Sequence, residues 1–145
     1  MSVSDILGRT IENLKIGDSE SMSKTISEYD VYSYAGITGD FNPAHINEEF
    51  AKGTAFETRI AHGMLGVGLI SAVLGTKIPG PGSIYLGQDV QFKKPVKIGD
   101  TITAVAKIIE IEDKGKFHIV QFKTTCFNQQ GDIVIDGIAK IIPPK

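Results

Sequence analysis

The sequence predicts an α+β fold in which an antiparallel sheet of about five strands wraps round one long apolar helix. Three observations carry this. Met64-Leu-Gly-Val-Gly-Leu-Ile-Ser-Ala-Val-Leu74 is apolar on every side, and a helix with no polar face has to be enclosed by other elements. Beyond Pro79-Gly-Pro-Gly82 the chain changes to β-branched runs separated by short turns. One further strand-like run, Ser19 to Ile26, precedes the helical patterns.

Bulk properties narrow the field. The chain has 145 residues, the size of a single domain that can bury a core without metals or disulfides. One domain, 1–145, is expected, with 1–14 as a loosely packed N-terminal arm. Fifteen basic residues against 17 acidic ones leave a formal charge of −2, so no basic field exists to bind nucleic acid. Cys126 is the single cysteine and sits in a strand-like run; it reads as a small buried side chain, and an internal disulfide is excluded. The N-terminus lacks a basic segment followed by an apolar one. Met64 to Leu74 is too short to cross a bilayer. No membrane association and a cytoplasmic location are therefore expected.

In chain order, Lys15-Ile-Gly-Asp18 reads as a turn before the first strand. Ser27, with Asp30 three residues on, resembles a helix N-cap with an acid in the first turn. Val31, Tyr34, Ala35 and Thr38 recur at helical spacing up to Gly36–Gly39. Asn47 can cap a second short helix, with Glu48 and Glu49 in its first turn, Phe50 as its inward anchor and Gly53 near its end. In the apolar helix, Gly66 and Gly68 weaken helicity by about 1 kcal/mol each relative to alanine, which is consistent with a sheet or a ligand coming close; Gly75 can terminate it. Ser83 to Phe92, Thr101 to Glu112, Phe117 to Asn128 and Ile133 to Ile142 read as strands. Four consecutive strands with short turns predict an antiparallel meander. The Lys-Ile-Gly-Asp tetrapeptide occurs again at 97–100, as reused turn chemistry.

A sheet curling round one helix is the outline of a hot-dog fold. Its open sheet edges favour pairing with a second copy, so a homodimer or dimer-based oligomer is expected.

The stretch richest in chemistry is Tyr34-Ala-Gly-Ile-Thr-Gly-Asp-Phe-Asn-Pro-Ala-His-Ile-Asn-Glu48, which places Asp40, Asn42 and His45 within six residues. Pro43 fixes its own φ and pushes Asn42 out of the helical region, so the three hang on an irregular, rigid loop. Read from the residues alone, two accounts stand. One is a helix end followed by an Asn-Pro turn with solvated side chains. The other is a catalytic site whose groups converge on one point.

The Gly-Asp-Phe-Asn-Pro-Ala-His core of that stretch resembles the signature of the MaoC-like dehydratases, in particular the small single-domain (R)-specific enoyl-CoA hydratases. Ile60-Ala-His-Gly-Met64 and Gly82-Ser-Ile-Tyr-Leu-Gly-Gln88, with Phe92-Lys-Lys-Pro95 after it, extend the resemblance over nearly everything from residue 15 onward. The resemblance implies reversible hydration of a trans-2-enoyl-CoA to a (R)-3-hydroxyacyl-CoA, a step that supplies polyhydroxyalkanoate precursors, with Asp40 and His45 as the catalytic pair. Adding water across a conjugated double bond needs a base at the β-carbon and a proton donor at the α-carbon. Asp40 is the expected principal base, and Asn42 matches the amide of the motif.

Attack on the β-carbon drives charge onto the thioester oxygen. Gly63 begins the apolar helix, where a main-chain N–H has no intrahelical partner and lies at the positive end of the helix dipole; helix entry after a turn accounts for such a glycine by itself, and the resemblance makes it the expected oxyanion donor. Ser71 and Leu74, one and two turns further on, are candidates for lining the acyl tunnel, although most residues of such a helix are core. His62 reads as a structural histidine outside catalysis, and His118 as a surface residue. Asp40 and His45 find no third metal ligand at a recognisable spacing, so no metal and no cofactor are expected. Lys93 and Lys94 can meet coenzyme A phosphates or simply end a strand. Two other functions share this fold: a thioesterase, which would release free thiol, and an acyl-CoA-binding subunit, which would bind without turnover.

Overall fold

The computed structural model describes residues Met1–Lys145. The chain runs α1 (Val3–Ile6), a short 3-10 turn (Ile11–Asn13), β1 (Ser19–Thr25), α2 (Glu28–Thr38), α3 (Pro43–Ile46), α4 (Glu48–Lys52), α5 (Gly63–Thr76), β2 (Ile84–Phe92), β3 (Thr101–Asp113), β4 (His118–Phe127) and β5 (Ile133–Ile142). The five strands form one antiparallel sheet in the order β1-β3-β4-β5-β2.

The expected meander of four is therefore a meander of three, β3-β4-β5, with β2 on the outer side of β5. The cause lies between β2 and β3. Residues 93–100 do not close a hairpin. Lys93 N–H donates to the Val134 carbonyl at 2.8 Å, Ala61 N–H donates to Val96 O at 2.7 Å, and Lys97 pairs with Ile60. The segment leaves the sheet, crosses the start of α5 and returns as β3. Its turn at 97–100 is held by Lys97 N–H donating to the Asp100 carboxylate, and the earlier copy repeats this from Lys15 to Asp18.

Strand alternation places Ile102, Ala104, Ala106 and Ile108 of β3 and Val120, Phe122, Thr124 and Cys126 of β4 on the inner face. They bury against Val67, Leu69, Ile70, Val73 and Leu74 of α5 in one core. This is the hot-dog arrangement. Gly66 leaves room for the Ile135 side chain of β5: a Cβ there would meet Ile135 Cδ1 at 2.5 Å, whereas at Gly68 nothing lies within 4 Å. The single sheet does not enclose α5 completely. Met64, Gly68, Ser71 and Gly75 form an exposed stripe along it, and the helix runs past Gly75 to Thr76.

Two local expectations change. Phe50 is exposed and Ala51 is the buried residue of α4. The N-terminal arm is tied down: Gly8 and Arg9 N–H donate to Pro81 O and Pro79 O at 2.8 and 2.7 Å, and Leu14 joins the core. Cys126 is fully buried, and burial pushes its thiol up to about 12.

Candidate active site

The stretch from Tyr34 to Glu48 is built by two caps. Ser27 and Asp30 form a reciprocal capping box that starts α2. Gly39, at φ +79°, ends the helix by donating its N–H to Ala35 O at 2.8 Å; a left-handed residue here turns the chain sharply toward Asp40. Asp40 Oδ1 accepts from Asn42 N–H at 3.2 Å, and Asn42 Oδ1 accepts from Ala44 N–H at 3.0 Å. Pro43 then occupies the first turn of α3, where its missing N–H costs nothing. The expected irregular loop thus contains a one-turn helix that carries His45 on its last turn. Asn42 serves as the N-cap of that helix.

His45 Nδ1 lies 2.7 Å from the Ile60 carbonyl. A carbonyl only accepts, so Nδ1 carries a proton, and in the neutral ring Nε2 keeps the lone pair. Ile60 N–H returns a bond to Ala44 O at 3.2 Å. The Asp40–His45 loop and the segment before α5 are thereby stitched together.

His62 enters the same cluster. Its Nε2 lies 2.9 Å from the Asp40 carbonyl, and its ring sits 3.9 Å from the His45 ring and 4.6 Å from the Tyr34 ring. One ligand atom from each of Asp40, His45 and His62 falls within 4.8 Å of the others. The third group missing from the local spacing therefore arrives 22 residues after Asp40. The two rings pack against one another at a 32° tilt, and His62 commits Nε2 to a carbonyl. Lone pairs lie in ring planes, so this geometry suits a water bound by Asp40 and His45 better than an enclosed metal ion. The sequence held one signal for His62. It occupies the N-cap of α5 without making a capping bond, so helix initiation does not account for a histidine there.

Gly63 is the first residue of α5, and its N–H has no acceptor in the protein. The ring of Phe92 lies against its Cα; a Cβ would stand 2.6 Å from Phe92 Cε1. A cavity of about 440 Å³ opens here, lined by His45, His62, Gly63, Phe92 and Lys93 on one side and by Ile102 and Ile135 at depth. Asp40 stands exposed beside its rim. The structure brings Asp40, His45, His62 and Gly63 together. It does not bring Ser71 or Leu74 to this cavity: Ser71 is exposed on the outer stripe of α5 and Leu74 is buried in the core.

Arg59 braces the surroundings. Its Nε donates to Glu48 at 2.8 Å and its Nη1 to Glu28 and to the Tyr32 hydroxyl. One guanidinium thus joins α2, α4 and the segment before α5. Hydrogen bonds from Arg59 first, then from Thr58, hold the Glu48 carboxyl below the usual range.

The MaoC like domain pattern matches residues 15–128, a span that contains every group of the cluster. The chain belongs to the MaoC-like family. It is 51% identical over 144 residues to an (R)-specific enoyl-CoA hydratase of Rhodospirillum rubrum, covering 99% of this chain and 98% of that one. A 3-hydroxybutyryl-CoA dehydratase of Methylorubrum extorquens is 44% identical, over 92% of this chain and 83% of its own. Among solved structures, the (R)-hydratase from A. caviae involved in PHA biosynthesis superposes with a TM-score of 0.87 at 38% identity, covering 92% of this chain and 99% of that one.

Proposed function

We propose that this protein is a reversible (R)-specific enoyl-CoA hydratase, converting a trans-2-enoyl-CoA to the (R)-3-hydroxyacyl-CoA. The observation that carries the reading is the convergence of a carboxylate, an imidazole with a free Nε2 and an uncommitted helix N–H about one apolar cavity. In this reading Asp40 and His45 Nε2 hold one water and the pair removes its proton as oxygen attacks the β-carbon. Gly63 N–H stabilises the enolate oxygen, which such donors do by about 2.7–4 kcal/mol. The proton returns to the α-carbon from the same side, which gives syn addition. Water adds without net oxidation, so the reaction requires no redox cofactor. Lys93 and Lys94 at the rim suit the phosphates of a coenzyme A carrier.

The functional unit in this reading is a homodimer in the cytoplasm. Support comes from β2, an edge strand that leaves Ile84, Tyr85, Leu86 and Phe92 exposed, and from the uncovered stripe of α5. No helix is long and apolar enough to cross a membrane.

The test is the loss of conjugated absorbance of crotonyl-CoA, with chiral analysis of the product. Asp40→Asn and His45→Ala should each lower kcat by at least about 10²-fold. Wild-type turnover in both variants, or the (S) product, overturns the proposal.

A further inference from the structure

His62 is 3% exposed, yet its Nδ1 has no hydrogen-bond partner. Buried polar atoms are nearly always satisfied, so an orphan marks a residue kept for another reason. The other nitrogen supplies that reason. Nε2 lies 2.9 Å from the Asp40 carbonyl, an atom that can only accept, so the ring carries its proton on Nε2 and leaves Nδ1 bare. Asp40 itself is exposed and sits on a turn held by short-range bonds, its N–H donating to Thr38 Oγ1 and its Oδ1 accepting from Asn42 N–H. The bond from His62 is the one that ties its main chain to the helix bearing Gly63. The same ring packs against His45, 3.9 Å away at a 32° tilt, and against Tyr34, 4.6 Å away at a 46° tilt.

Resting on the hydratase reading, we propose that His62 is a positioning residue: a single imidazole that fixes the Asp40 main chain through Nε2–H and the His45 ring by packing against it. Carboxylate, imidazole and oxyanion donor are thereby held in one register. In this role His62 acts through Asp40 and His45 and not on the reacting atoms. A ring held by two neighbouring rings and at one nitrogen is needed because the reacting groups sit on separate segments, and a misplacement of about 1 Å can cost 10²-fold in rate.

Glutamine can present an amide N–H near the position of Nε2, whereas leucine keeps bulk without a donor. His62→Leu should lower kcat about 10²-fold with KM little changed, and His62→Gln should recover most of the wild-type kcat. Equal loss in both variants, or loss confined to KM, overturns the proposal. Nitrogen-15 spectra of histidine-labelled wild-type protein read the tautomer without reference to activity or to a variant's folding. A proton on Nε2 with a bare Nδ1 is expected for His62, and a proton on Nδ1 overturns the inference. Wild-type protein that leaves enoyl-CoA unchanged overturns the hydratase reading, and the catalytic role of His62 with it. Active wild type with equal variants overturns the positioning role alone.

Discussion

Gly63→Ala isolates the oxyanion donor from the rest of the site. The added methyl would stand 2.6 and 2.8 Å from Cε1 and Cδ1 of Phe92, against the roughly 3.5–4.0 Å at which carbons rest. The ring has to retreat by about 1 Å, and at 55% exposure it can. Gly63 does not hold a positive φ, so alanine fits the backbone, and the change is at worst neutral for the helix. The fold should survive, with a thermal midpoint within a few degrees of wild type. Catalysis should not. A methyl and a displaced ring beside the free N–H keep the thioester oxygen from reaching it, and removing such a donor costs about 2.7–4 kcal/mol, or 10²–10³-fold in kcat. Initial rates of crotonyl-CoA hydration measure the loss. Wild-type kcat in Gly63→Ala, with an unchanged melting profile, refutes the oxyanion assignment.

Further outcomes follow from packing and charge. Gly66→Ala places a methyl 2.5 Å from Ile135 Cδ1; overpacking of about 1–3 kcal/mol outweighs a helix gain of about 1 kcal/mol, and Ile135→Val, which removes that carbon, should restore the urea midpoint. Arg59→Leu should lower both kcat and stability at neutral pH, since it releases Glu28 and Glu48 together. Both carboxyls are held below their ordinary value of 4.5 in the fold, chiefly by hydrogen bonds from Arg59. Their stabilisation is thus complete above that pH and fades as pH falls through the lowered values, so wild-type and variant midpoints should converge in acid. Cys126 should resist Ellman's reagent in the native state and react as one equivalent on unfolding, because burial raises its thiol to about 12 and removes it from solvent.

What could be read in advance followed the range of the interactions. Strand residues such as Ile102, Ala104 and Ala106 announce an inner face by strict alternation, and Ser27 with Asp30 announces a cap, because both signals are local. The place of β2 was not legible. Its neighbour is decided by Lys93 meeting Val134 and Ala61 meeting Val96, bonds between segments far apart in the chain. The same holds within the site. Asp40, His45 and Gly63 could be named because their motifs resemble a known family, and the structure places His45 and Gly63 on one cavity with Asp40 beside them. His62 was assigned a purely structural part because its role depends on a carbonyl 22 residues away. Phe50 failed as an anchor because a helix as short as α4 has too few turns to declare a buried side.

The ties that define the site have a kinetic meaning. His45 reaches Ile60 across 15 residues and His62 reaches Asp40 across 22, whereas β1 finds β3 across 80. Closing the shorter loops costs less chain entropy and takes on the order of 100 ns, while long-range strand pairing is slow. Residues 40–63 should therefore acquire their mutual arrangement early and surrender it late. In native-state hydrogen exchange, the amide of Ile60, which donates to Ala44 O, should stay protected through openings that already expose β1. The outer strand can fray while the imidazoles remain packed together.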